Sequence, residues 1–202
     1  MADWDADSPQ LRRNLASVAQ AIRDSADRRD KPSRDLVREW HRQTMKGLAV
    51  PDTAYVGRFR GEPGAQVEVV IGAAEGVAYE NVEAQLDEFE RRMQAVVAAL
   101  DAEYPAGAEL DTDAVAAVAE LAGWAHAEWV RIHPFVNGNG RTARMWANFL
   151  LQRFGLPPVM RLRPRPHGDY AAAGARAMAG DWGPTVALIL RMLSALRPAP
   201  PG

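Results

Sequence analysis

His133-Pro134-Phe135-Val136-Asn137-Gly138-Asn139-Gly140-Arg141-Thr142-Ala143-Arg144 is the stretch whose reading decides the fold. One apolar helical pattern ends near Ile132 and another runs from about Arg141 to Phe154, so the segment joins two buried helices and must hold a fixed shape. Gly138 and Gly140 are free to take positive φ and to let a ligand approach the backbone. The helix behind them offers unpaired first-turn N–H groups and the positive end of a macrodipole, which together make an anion site. Arg141 and Arg144, three apart in that first turn, oppose the dipole by about 0.3–1 kcal/mol each. A polyanion such as a nucleotide phosphate chain would remove the conflict. His133, with an ordinary pKa of about 6.5, adds a group that accepts a proton at neutral pH. Singly, these residues also read as turn glycines, surface charge and a helix C-terminal cap. Together they read as a base beside an anion nest.

The string HPFVNGNGRTAR closely resembles the signature of the Fic/Doc family, His-Pro-Phe-x-(Asp or Glu)-Gly-Asn-Gly-Arg-x-x-Arg. That resemblance implies a mainly α fold: a helical bundle around a central helix preceded by the motif loop, with a small β-hairpin flap. It also implies a protein adenylyltransferase, which moves AMP from the co-substrate ATP to a Ser, Thr or Tyr hydroxyl of a target protein. Carried over by position, His133 would be the general base and Phe135 a core anchor. Gly138, Asn139 and Gly140 would form the phosphate nest, Arg141 and Arg144 would bind the triphosphate, with Arg141 also catalytic beside His133, and Tyr170 would lie on the adenine side.

Asn137 departs from the pattern, because it stands where the family places an acidic Mg²⁺ ligand. A neutral carbonyl oxygen is a weaker partner than a carboxylate for a hard divalent cation. Asn137 is thus the candidate metal residue of a weakened Mg²⁺ site. Two further functions stay open: a transferase of another phosphate-linked group, including a kinase-like toxin, or a nucleotide-binding module impaired in catalysis.

The chain has 202 residues, 48% of them apolar, which suits one domain around one core. Its formal charge of −2 gives no overall pull toward nucleic acid or membrane. The acidic start at Met1-Ala2-Asp3 and the lack of a spanning apolar run suggest a cytoplasmic protein. With no cysteine, disulfides and thiolate catalysis are excluded. Residues 1–7 are expected to be a flexible N-terminus, 8–196 a single domain and the proline-rich 197–202 a disordered tail.

Ser8-Pro9 opens a helix with Leu11, Leu15, Val18 and Ile22 inward, and Ser33 caps a second with Leu36, Val37, Trp40 and Met45 inward. His41 on that helix reads as a partly buried polar residue. Between Pro51 and Tyr79, Val67, Val69 and Ile71 alternate with other residues among many glycines, which predicts a hairpin or irregular flap over about 54–72. Its arms would be Tyr55–Arg60 and Glu68–Ile71. The flap is either a solvent-side hairpin or, as in relatives of the family it resembles, a clamp for the target through Arg60, Glu68, Val69 and Val70.

Asn81 is expected to cap a helix with Val82, Leu86, Phe89, Met93, Val96 and Leu100 inward. Asp111 caps the helix that delivers His133, whose pKa the dipole at that C-terminus should raise against the neighbouring arginines. His126, seven residues before His133, has no third ligand at a sensible spacing and reads as a hydrogen-bonded core histidine. No Ser/Thr-x-x-x-Glu-Gly/Asn segment, the inhibitory element of the family it resembles, occurs in the chain. Regulation by a separate antitoxin-like protein is therefore expected if regulation exists.

Overall fold

The computed structural model describes residues 7–72 and 74–196. The first helix, α1 (Pro9–Asp27), starts where Ser8 accepts the Leu11 amide at 3.1 Å and Pro9 occupies the first turn. Its stripe of Leu11, Leu15, Val18 and Ile22 is buried. Asn14 on the same face donates to the carbonyls of Thr44 and Lys46 and so ties α1 to the end of α2 (Arg34–Met45), which Ser33 caps.

Helix α3 (Val82–Glu103) follows a 3₁₀ turn over Tyr79–Asn81. Asn81 makes no side-chain cap, because that turn already leads the chain into the helix. Along α3 the inward position is Val97 rather than the expected Val96, which is 37% exposed. Helix α4 (Thr112–Ile132), capped by Asp111, packs its small residues closely against α5 (Asn139–Arg153) and α7 (Gly183–Ala195). A methyl group on Gly123 would stand 2.9 Å from the Val186 Cα, so only glycine permits that crossing.

Surrounded by α1, α2 and α4, the central helix α5 buries residues on every face. Trp146 of α5 lies edge-on to Trp40 of α2 at 5.4 Å and to Trp129 of α4 at 5.9 Å, with Phe89 of α3 closing the cluster. Such offset aromatic pairs add about 0.5–1.5 kcal/mol each beyond the area they bury. At the far end of α5, Arg153 is buried against Asp101 and the Asp30 carbonyl. Helix α6 (Tyr170–Met178) packs on α4 and α7.

Strands β1 (Val70–Ile71) and β2 (Ala74–Glu75) form an antiparallel hairpin that pairs Val70 with Glu75 and Ile71 with Ala74. This corrects the expected flap arms. Val70 and Ile71 of the expected second arm do enter a hairpin, but their partner is Ala74–Glu75, not Tyr55–Arg60. The earlier segment cannot be a strand, because Thr53–Tyr55 is a 3₁₀ turn and Gly57 and Gly61 bend the chain at φ of 69° and 94°. Between those bends Phe59 packs on Phe135 and Trp129. The expectations for residues 1–6 and 197–202 lie outside the described residues. Asp7, the last of the expected N-terminal segment, pairs with Arg12.

Candidate active site

Helix α4 stops at His133, which adopts the left-handed conformation at φ 54°, a state that costs a non-glycine residue roughly 1–2 kcal/mol. Arg60 holds it there: its Nε donates to the His133 carbonyl at 2.7 Å and its Nη2 to the Ile132 carbonyl at 3.1 Å. The same guanidinium reaches the carbonyls of Val67 and Val77 on either side of the hairpin and the Glu68 carboxylate at 3.4 Å. Expected on the target-binding flap, Arg60 is instead 1% exposed and buried beneath it. A guanidinium at a helix C-terminus meets carbonyl groups with no intrahelical donor, which accounts for a cation in that place.

The His133 Nδ1 lies 3.1 Å from the Val130 carbonyl. An imidazole nitrogen facing a carbonyl must carry the proton, so in the neutral ring Nε2 keeps the lone pair. Burial lowers the His133 pKa, the bond to Val130 opposes that shift, and the Arg60 charge adds to it. The expected rise is thus overturned, because desolvation of the ring outweighs the hydrogen bond to the Val130 carbonyl at the helix end.

The loop after His133 is held from inside. The Phe135 amide donates to Asn139 Oδ1 at 2.8 Å, and Asn139 Nδ2 donates to the Phe135 carbonyl at 2.7 Å. The Asn139 side chain therefore fixes the loop, and only its backbone faces the start of α5. Gly138 caps α5 at φ 85°, and a Cβ there would also lie 3.2 Å from His41 Nε2. Amides of Arg141 and Thr142 bond to the Gly138 carbonyl, while those of Asn139 and Gly140 belong to the turn that no intrahelical carbonyl serves. Asn137 accepts the Gly138 amide with its own Oδ1.

A cavity of about 1560 Å³ joins these parts. Its described lining includes His133, the loop from Val136 to Arg141, Arg144 and Tyr170, with Ile71, Gly72 and Ala74 of the hairpin on one side. Of the residues expected to bind a target, Glu68 and Val70 are exposed and Val69 is half-buried. Arg144 is buried, donating to the Tyr170 hydroxyl and to the Leu162 carbonyl, each at 2.9 Å. Tyr170 Oη also lies 2.9 Å from His126 Nε2, so its hydroxyl is committed to a network under Arg144. Burial, helped by the Arg144 charge, pushes His126 down to about 3 and keeps it neutral.

Sequence alone does not point to His41 as part of this site. It is 1% exposed, stacks on Phe135 at 4.0 Å between ring centres, and links Gly57 to Asn137. No local spacing marks it, since its partners are 16 and 96 residues away.

Residues 31–151, more than half of the chain, match the model of the Fic/DOC family. The chain belongs to the Fic/DOC family. Over 72 residues it is 42% identical to "Protein adenylyltransferase Fic" of Nematostella vectensis, a match that covers 36% of this chain and 17% of that protein. Among solved structures it is similar to Fic-1 from C. elegans, with a TM-score of 0.62 and 25% identity, covering 95% of this chain and 54% of that one. It is also similar in fold to the BepC protein from Bartonella tribocorum with bound AMPPNP, with a TM-score of 0.59, 18% identity and coverage of 95% and 90%. The matched segment is thus a small part of the curated relative, and the fold is shared with both solved structures.

Proposed function

We propose that this Fic-family chain transfers AMP from ATP to the Ser, Thr or Tyr hydroxyl of a target protein. The observation that carries the reading is His133 with Nδ1 committed to Val130 and Nε2 left as acceptor, lining the same cavity as the start of α5. Similarity to proteins named adenylyltransferases supports it, as does a structural neighbour that holds an ATP analogue.

In this reading His133 Nε2 takes the proton of the target hydroxyl as its oxygen attacks the α-phosphorus. The bond from that phosphorus to the bridging oxygen breaks, and pyrophosphate leaves. The amides of Asn139 and Gly140, with Arg141 and Arg144, would bear the phosphate charge without reorganising during the step. The exposed hairpin, with Glu68, Val69 and Val70, would carry the target's extended segment by strand addition. Tyr170 would bound the nucleotide site by fixing Arg144. A cytoplasmic location and control by a separate antitoxin-like inhibitor belong to the same proposal.

Mg²⁺ fits this residue set poorly. Asn137 has spent its side-chain oxygen on Gly138, and among the described residues lining the cavity the single carboxylate is Asp7, already paired with Arg12. That observation favours a second reading, a nucleotide-binding module that performs no transfer. Intact-mass spectrometry after incubation with ATP, with and without Mg²⁺, separates the two. A gain of one adenylate that is lost in His133→Ala supports transfer. No gain in the wild type, but a gain in Asn137→Asp, supports the binding module.

A further inference from the structure

We infer that the cavity takes its polyphosphate ligand as the free anion, with the charge balanced by arginines in place of a bound divalent cation. The inference rests on the reading of this cavity as a nucleotide site, and it concerns what neutralises the phosphates there.

Six arginines and one aspartate supply the formal charge of the described lining. The chain as a whole is at −2, so positive charge has been gathered here against the balance of the molecule. Arg141 and Arg144 stand at the start of α5, and Arg12 comes from α1. Arg161, Arg163 and Arg165 come from the connector after α5.

That connector is anchored to the helix that carries the nest. Asn148 on α5 bonds both the amide and the carbonyl of Met160, and Arg144 donates to the Leu162 carbonyl. Its arginines are thereby held along the cavity. Asp7 subtracts little, since it sits 2.6 Å from Arg12 and 3.7 Å from Arg163 and neutralises within the basic group itself.

The loop position opposite is neutral. Asn137 presents no charge, and its Oδ1 is turned back onto the Gly138 amide. A hard divalent cation would therefore depend on phosphate oxygens and water alone, beside a wall that repels it. The metal-free triphosphate carries two more negative charges than its Mg²⁺ complex, so the arginine lining attracts the free anion more strongly.

Calorimetric titration with AMPPNP in excess chelator and in excess Mg²⁺, at matched ionic strength, tests this. Affinity in chelator should equal or exceed that in Mg²⁺, up to about tenfold, as charge attraction predicts. The Arg161→Ala/Arg165→Ala variant should narrow that preference. Asn137→Asp should reverse it, with the Mg²⁺ complex binding tighter. Binding that needs Mg²⁺ in the wild type would overturn the inference and leave the nucleotide reading standing. No binding under either condition would overturn both.

Discussion

His41 and Asn137, 96 residues apart, are joined by a hydrogen bond of 3.0 Å from the His41 imidazole Nε2 to the Asn137 carbonyl. The direction is fixed at the other end of the ring, where Nδ1 accepts the Gly57 amide at 2.9 Å. A neutral histidine thus clips the motif loop to the segment that leads to the hairpin. His41→Phe would keep the stack on Phe135 but leave a buried amide and a half-buried carbonyl unpaired. Each orphaned group costs roughly 1–3 kcal/mol. Thermal unfolding should move down accordingly, and nucleotide affinity should fall with it. An unchanged melting temperature would show that the clip is dispensable.

Arg60 does for His133 what His41 does for Asn137. Its guanidinium ends α4 and spans both sides of the hairpin, so Arg60→Met strips donors from several buried carbonyls at once. A loss of about 3–5 kcal/mol is expected, the range seen when a buried charged network is broken. Arg60→Lys should recover part of it, since an ammonium cannot reach the same carbonyls together. If the proposed transfer holds, its rate in stable backgrounds should drop more than nucleotide affinity, because Arg60 holds His133 and is not among the described residues that line the cavity. Equal losses in both would contradict this division.

Acid should weaken the fold before its carboxylates titrate. Burial holds His41 near 4 and His126 near 3, both below the ordinary value of about 6.5, and lowers His133 as well. With folded pKa values below the unfolded ones, the unfolded chain binds more protons as pH falls below about 6.5. Stability is therefore lost on acidification, by about 1.4 kcal/mol per pH unit for each such histidine, until the folded pKa is reached. Urea midpoints measured from pH 7.5 to 4.5 should fall steadily below pH 6.5. A flat profile down to pH 5 would refute the burial of these rings.

Tyr170 gives its hydroxyl to Arg144 and His126, so Tyr170→Phe should loosen the arginine without opening the core. Loss of one charge-assisted hydrogen bond, worth roughly 1.5–3 kcal/mol, should weaken nucleotide binding several-fold or more. Titration of the variant beside Arg144→Met decides the matter. If the phenylalanine variant binds as the wild type does, the hydroxyl plays no part in setting Arg144.

Much of the frame is legible where the cause is local. Ser8, Ser33 and Asp111 each cap the helix that the chain pattern announces, and each side chain bonds the amide three residues on. Legibility ends where tertiary contacts decide. Asn81 looks like a cap but follows a 3₁₀ turn, and the drift of a 22-residue helix moves the inward face from Val96 to Val97. The second hairpin arm, Ala74-Glu75, carries no β-branched or aromatic signal, so the alternation at Val67, Val69 and Ile71 found the wrong partner. Arg60 resembles any surface arginine in sequence, and only the fold shows that α4 ends against it. The motif residues themselves gather as their spacing implies, because a loop between two buried helices has few ways to run.

Helix α5 is enclosed on all faces, whereas the hairpin beside it rests on two residue pairs and leaves Val70 69% exposed. Opening free energies follow such differences, from near zero at thin edges to the global value in the enclosed core. Amides in the middle of α5, beyond its first turn, would thus exchange with solvent only when the whole chain unfolds, and those of the hairpin long before. One wall of the cavity is a fixed template and the other an adaptable one, so a guest on the α5 side must match a shape already set. A guest on the hairpin side helps to make its own.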